Sequence, residues 1–311
     1  MSETQKLREA QKLISTNNIK EAIQILWQLY SSRNPNIKLN AILGLLSVLD
    51  YLSETKKLLQ IIEEGIKIAT KIGKKDVVAF LLGRKALLLE SILGILIYRQ
   101  KNLVLSANVF KWINFATEKE KKEFEAITNK GRKIEKEIHE IETTILKMAN
   151  ESGDSYLRGH IFMAIGEIYG SRYLNDKLDL MKGGRIRSKI GNIYLVRRLR
   201  LDSLLLYRNN DRRKIAEHKK NCIHFFKLAI SEFNSSKNES DMAHAYYNLA
   251  VKLKIMFHFR DAKKYLKKAE RWARISGDER LLSQILSFRN TLKYGNKNVR
   301  NYVEEFGLDL P

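Results

Sequence analysis

The sequence predicts an all-α fold, an α-solenoid of antiparallel helical hairpins, and three observations carry that expectation. Apolar residues recur three and four positions apart almost throughout, while two-residue alternation is scarce. Only two prolines, Pro35 and Pro311, occur in 311 residues, so long uninterrupted helices are expected. Ala69, Ala149 and Ala273 each stand four residues before a glycine (Gly73, Gly153, Gly277), with polar residues and a new apolar run after it. Glycine in the left-handed conformation closes helices in this way, and separations of 80 and 124 residues approximate two and three units of about forty.

Taken in order, Ala10, Leu13, Ala22, Leu26 and Leu29 mark a first hairpin, with Lys6 and Glu9 at positions that are apolar elsewhere, as suits an end cap. Ile42, Leu45, Leu46, Leu49, Leu58, Ile62 and Gly65 mark a second. A lengthened helix starts near Asp76, with Val109, Ile113 and Ala116 on the face of its partner. From Phe124 the series Ile127, Gly131, Ile134, Ile138, Ile141, Ile145, Met148 predicts one long amphipathic helix. Between Glu118 and Glu142, seven Lys/Arg and eight Asp/Glu nearly cancel, a solvated face supported by i,i+4 pairs. Phe162, Ile165, Gly166 and Tyr169 form another first helix, yet the same spacing then lands on Leu178, Lys182 and Arg185, so no partner helix follows. The segment 174–221 is therefore expected to be less regular, with Gly183-Gly184 breaking any helix there. Cys222, Phe226 and Ala229 suit a second helix. Finally Tyr246, Leu249, Ala250, Leu253, Ala262, Leu266 and Ala269 repeat the gaps of the Ile42 to Gly65 set.

Those gaps resemble the tetratricopeptide repeat, with its large–Leu–small–large first helix and Ala–large–Ala second helix, here in a version of about forty residues. The resemblance implies a right-handed superhelix, with residues 1–311 forming a single repeat domain whose first helices line a concave groove. By position, that groove would hold His160, Met163 and Glu167, then His244, Tyr247, Asn248 and Lys254, with Asn40, Leu43, Gly44 and Ser47 on an earlier hairpin. Arg197 and Arg200 fall inside the apolar arc of Ile186, Ile190, Ile193, Leu201 and Leu204; they face the groove, are buried against carboxylates such as Asp202, or mark a helix broken near Gly191, and the groove is the favoured expectation. Only Asn248 matches a place in the family's carboxylate clamp, so a clamp is not implied.

Charge is the unusual bulk property. Lys and Arg number 57 against 35 acids, a net +22. Lys182 to Lys220 carries +10 of it, including Lys182, Arg185, Arg187 and Lys189; Lys252 to Arg274 carries +7, including Lys263, Lys267 and Arg271. Such concentration suggests an acidic partner, a protein or peptide, with RNA or single-stranded DNA as the alternative. A ligand- or peptide-sensing regulator is the third alternative.

No nucleophile–base pair or glycine-rich catalytic elbow occurs, so a non-catalytic scaffold without cofactor is expected. The glycines at 183 and 184 precede a basic run but match no phosphate-loop spacing. His218 and Cys222 stand at i,i+4 without a further local thiol or acid, too few ligands for a metal. The single cysteine, the polar first residues and the lack of a long apolar run point to a cytoplasmic protein without a membrane span.

Overall fold

A computed structural model describes residues 1–16, 18–49, 55–106, 117–190 and 212–306, and at 15, 101–102, 104–106, 177–190, 212 and 293–306 it describes the helical backbone alone. Among the described residues there are eleven helices and no strand. They are α1 (Glu3–Ser15), α2 (Ile19–Tyr30), α3 (Pro35–Val48), α4 (Thr55–Lys71), α5 (Lys75–Ser106), α6 (Glu118–Glu151), α7 (Ser155–Ile190), α8 (Arg212–Ser235), α9 (Glu239–Ile255), α10 (Phe259–Ser276) and α11 (Glu279–Phe306). None of the described helices is long and apolar enough to cross a membrane.

The helix starts follow local chemistry. Ser2 with Gln5, and Thr117 with Glu120, form reciprocal capping boxes on α1 and α6. Asn34 accepts from two backbone amides of α3, and Pro35 takes the first helical position, where a missing N–H costs nothing. Asn238 and Asp278 accept backbone N–H groups at the starts of α9 and α11.

The helix ends revise the glycine signature. Gly73 and Gly277 are left-handed, at φ +73° and +68°. Gly153 is not: α6 ends at Ser152 in extended backbone, and the Ser152 and Asp154 side chains accept the amides of that turn. Lys237 and Phe257 instead take the left-handed place at φ 53° and 62°. At all four left-handed ends the following amide reaches back five residues, as in Asn238 N to Phe233 O and His258 N to Leu253 O. Residues 237, 257 and 277 thus punctuate α8 to α11 every twenty residues, half of the repeat length expected.

Gly183-Gly184 does not break the chain, which stays helical to Ile190. Each glycine costs a helix only about 1 kcal/mol relative to alanine, which a 36-residue helix absorbs. The lost partner of the Phe162 helix has the same cause. α7 runs on past Leu178, Lys182 and Arg185, and α8 packs against it instead. Arg197 and Arg200, and Val109, Ile113 and Ala116, lie outside the described residues.

Every helix packs on its successor. Odd-numbered helices also meet one another, α1 with α3, α5 with α7, α7 with α9 and α9 with α11, an approach the described residues of the even-numbered ones do not match. Glycines permit the closest crossings. A Cβ on Gly83 of α5 would stand 2.5 Å from the Ala164 Cβ of α7. The repeat positions Ile42, Leu45, Leu58 and Ile62, and likewise Leu249, Ala250, Ala262 and Ala269, are fully buried. Burial of such side chains contributes about 1.5–3 kcal/mol for each large one.

α5 is apolar nearly all round because α4, α6 and α7 all pack against it. Within it Glu90 is buried, and it is met by Arg172 of α7, whose Nε donates at 2.7 Å. The Arg172 Nη1 and Nη2 donate to both oxygens of Glu142 on α6, at 2.7 and 2.8 Å. Burial disfavours the guanidinium charge, but the two carboxylates outweigh it and hold its pKa above the ordinary value.

Candidate functional site

The expected groove residues on α7 and α9 come together along one wall. His160 puts Nε2 3.4 Å from Asp241 Oδ2 and is ringed by Tyr156, Phe80 and Phe233, at centroid distances of 4.5, 6.4 and 5.1 Å. Two turns on, Asn248 Nδ2 donates to Glu167 Oε1 at 2.8 Å and lies 3.9 Å from the Met163 sulfur. A further turn on, Gly170 leaves room for the Lys252 stem, which an added Cβ would meet at 2.8 Å. These contacts come from helical register: residues 160, 163, 167 and 170 share one face of α7.

The same wall continues from α9 to α11. His244 Nε2 lies 3.2 Å from Asp278 Oδ2, whose other oxygen caps α11. Tyr247 meets Phe288 edge-on at 5.8 Å. Lys254 donates to Thr291 Oγ1 at 2.7 Å, with its ammonium 4.8 Å from the Phe288 ring centre. Burial raises the Tyr247 pKa and lowers that of Lys254, so both sit where water is partly excluded. Burial, then Asp241, Asp76 and Asp154, raise the Tyr156 phenol as well.

His160, Met163, Glu167, His244, Tyr247, Asn248 and Lys254 are all half-buried, neither sealed in the core nor fully in solvent. Gly44, on the same inferred face, behaves differently. It packs on Leu26 of α2 and serves a helix crossing, as Ala164 beside Met163 does against Gly83. Ser47, in the last turn of α3, accepts through its carbonyl from Arg280 Nη2 of α11 at 3.3 Å.

Of the basic patch, Lys263, Lys267 and Arg271 lie exposed on α10. Lys182, Arg185, Arg187 and Lys189 belong to the last turns of α7, where the backbone alone is described. Cys222 is buried among Tyr173, Phe226 and Leu253, and desolvation pushes its thiol up to about 12. His218 turns from it to Asp176 of α7, at 3.2 Å.

The Arg172 cluster was not anticipated. Glu90 inside the run Ala86 to Leu93 was its signal, since an acid in an apolar stretch needs a buried cation. The Ser47–Arg280 contact has no counterpart in local sequence. No family model matches the chain, and no curated protein matches it either.

Proposed function

We infer that this protein is a non-catalytic recognition scaffold, a tetratricopeptide-like α-solenoid whose odd-numbered helices form the inner wall of a groove. In a curved stack the helices on the inside of the bend converge and those outside spread, and the mutual approach of α5, α7, α9 and α11 supports that curvature. The hydrogen bond from Arg280 to Ser47, between residues 233 apart, supports a bend tight enough to bring α11 back to α3.

The observation that carries the function is the continuous row of half-buried polar and aromatic side chains along this wall. Met163, Tyr247 and Phe288 offer apolar anchors, and Asn248, Glu167 and Lys254 offer directional polar groups between them. A protein or peptide segment with acidic character fits best. The net charge of +22 attracts it over a distance, while the anchors set residence time.

Selection of peptides from a random displayed library tests this. The expected winners combine acids with an aromatic or aliphatic anchor, and their affinity falls at least tenfold in Tyr247→Ala or Asn248→Ala, each variant still folded at the assay temperature, as truncation of a central anchor does. Winners whose affinity is indifferent to both substitutions would place recognition elsewhere.

A further inference from the structure

The outward face of α10 differs in kind from the wall just described. Lys263, Lys264, Lys267, Lys268 and Arg271 follow at spacings that share one side of the helix, and all are exposed. Among the described residues none of Lys263, Lys264, Lys267 and Arg271 meets a carboxylate. The two acids of α10 do not neutralise this face. Asp261 lies beside His258, and Glu270 is held by Arg274 and Arg289 at 2.9 and 3.0 Å. Lys268 stands over the stacked rings of Tyr246 and Tyr265, 5.4 and 5.9 Å from their centres. α8, whose side chains share a packed cluster with Trp272 of α10, adds exposed Lys220 and Lys227.

We propose that this outer basic face binds the phosphate backbone of double-stranded DNA, without reading its sequence, on a surface separate from the groove. An acidic protein is the poorer fit, because the face lacks apolar anchors. Tyr265 is stacked on Tyr246, Trp272 is packed inward, and the exposed apolar residue of α10 is Ile275 at the helix end. The same lack argues against a lipid surface, where an amphipathic helix buries apolar side chains. It argues against single strands too, whose bases need exposed rings for stacking. Point-like ammonium groups in rows suit the neutralisation of phosphates. From Lys263 to Arg271 the helix rises about 12 Å, matching the roughly 12 Å width of the B-form major groove and so reaching phosphates on both of its edges. An A-form RNA duplex has a deep, narrow major groove and does not offer that span.

The test uses the full chain, a labelled DNA duplex of about twenty base pairs, and anisotropy titrations from about 50 to 200 mM salt. One variant carries Lys263→Gln, Lys264→Gln, Lys267→Gln and Lys268→Gln. A second, Lys119→Gln with Lys122→Gln, Lys130→Gln and Lys133→Gln, removes equal charge from the exposed face of α6. The expected result is at least tenfold weaker binding at low salt for the α10 variant, with the salt slope reduced by about three. The α6 variant should stay within about twofold, and neither variant should melt below the wild type. Retained affinity in the α10 variant overturns the proposal, as do equal losses in both variants. So does equal or tighter binding of an RNA duplex of the same length, of polyglutamate, or of phosphatidylserine vesicles. Tyr247→Ala leaves DNA binding unchanged; a loss there would mean that DNA occupies the groove and would also overturn the outer-face assignment.

Discussion

α6 and α10 are both exposed, both even-numbered, and both rich in charge, yet they arrange it in opposite ways. α6 carries eight Lys/Arg and nine Asp/Glu, and joins them in pairs such as Lys121 with Glu118, Lys136 with Glu140 and Lys147 with Glu151. α10 carries seven Lys/Arg and two acids. Like charges four residues apart on a helix destabilise it by about 0.2–0.5 kcal/mol per pair, and α10 repeats that arrangement at Lys263 with Lys267, Lys264 with Lys268, and Lys267 with Arg271. A solvated helix in this protein therefore does not need one sign of charge, and α6 is the internal demonstration. The stripe on α10 opposes local stability, which suggests a role outside the helix itself.

The two helices also differ in how they are fastened. Glu142 fixes α6 to the core through Arg172, while α10 is held by Ala262, Leu266, Ala269 and Ala273. The largest expected effect follows from cutting the ionic link. Arg172→Leu leaves Glu90 and Glu142 buried beside an apolar side chain and is expected to cost about 3–5 kcal/mol in urea unfolding. Cutting the apolar link comes next, with Leu266→Ala expected to cost about 2–5 kcal/mol in the same assay. If Arg172→Leu proves nearly neutral, the two fastenings do not differ in the way described.

α8, packed between α7 and α9, supplies a pH-dependent comparison. Its Cys222 thiol is raised from 9.0 to about 12, as is the Tyr30 phenol from 10.0, the latter by burial and by donating to Glu64. A raised folded-state pKa means that its stabilisation is complete below the unfolded value. It is lost as pH rises toward the folded one. Melting temperature should therefore fall between about pH 9 and 12. At pH 8 Cys222 should resist alkylation in the native protein and react on unfolding. Fast native alkylation would contradict its placement in the core.

The smallest effects come from exchanging the two charge patterns. Lys264→Glu, which sets an acid four residues before Lys268, is expected to raise α10 stability by about 0.2–0.5 kcal/mol, and Glu140→Lys to lower that of α6 by as much. Thermal melts at low and high salt read both, and the differences should shrink with salt.

The helical class, the burial of the repeat positions and the seam of α6 were all legible, because each depends on spacing within one or two helices. Phe124, Ile127, Ile134, Ile138 and Ile145 are buried as that spacing requires. Lys237 and Phe257 were not legible as left-handed ends, since their side chains carry none of glycine's bias and tertiary packing sets the turn. The extension of α7 through Gly183-Gly184 was not legible, because a glycine pair is only a weak breaker and the neighbouring helices that offset it leave no local signal. On the candidate wall, Asn248, Glu167 and Met163 were found by repeat position, and their mutual contacts follow from α7 lying beside α9. Arg172 with its two acids spans three helices, and such a cluster has no period to betray it.

Curvature is the feature on which the proposed groove rests, and an electron-spin distance measurement tests it most directly. Nitroxides on Ser47→Cys and Gln284→Cys, with the buried Cys222 left unlabelled, report the approach of α3 to α11. Because Gln284 lies one turn of about 5.4 Å beyond Arg280, a narrow distribution below about 25 Å is expected. A distribution centred near or beyond 40 Å, the reach of four side-by-side helix steps of about 10 Å in a straight stack, would contradict the inner wall and the groove built on it.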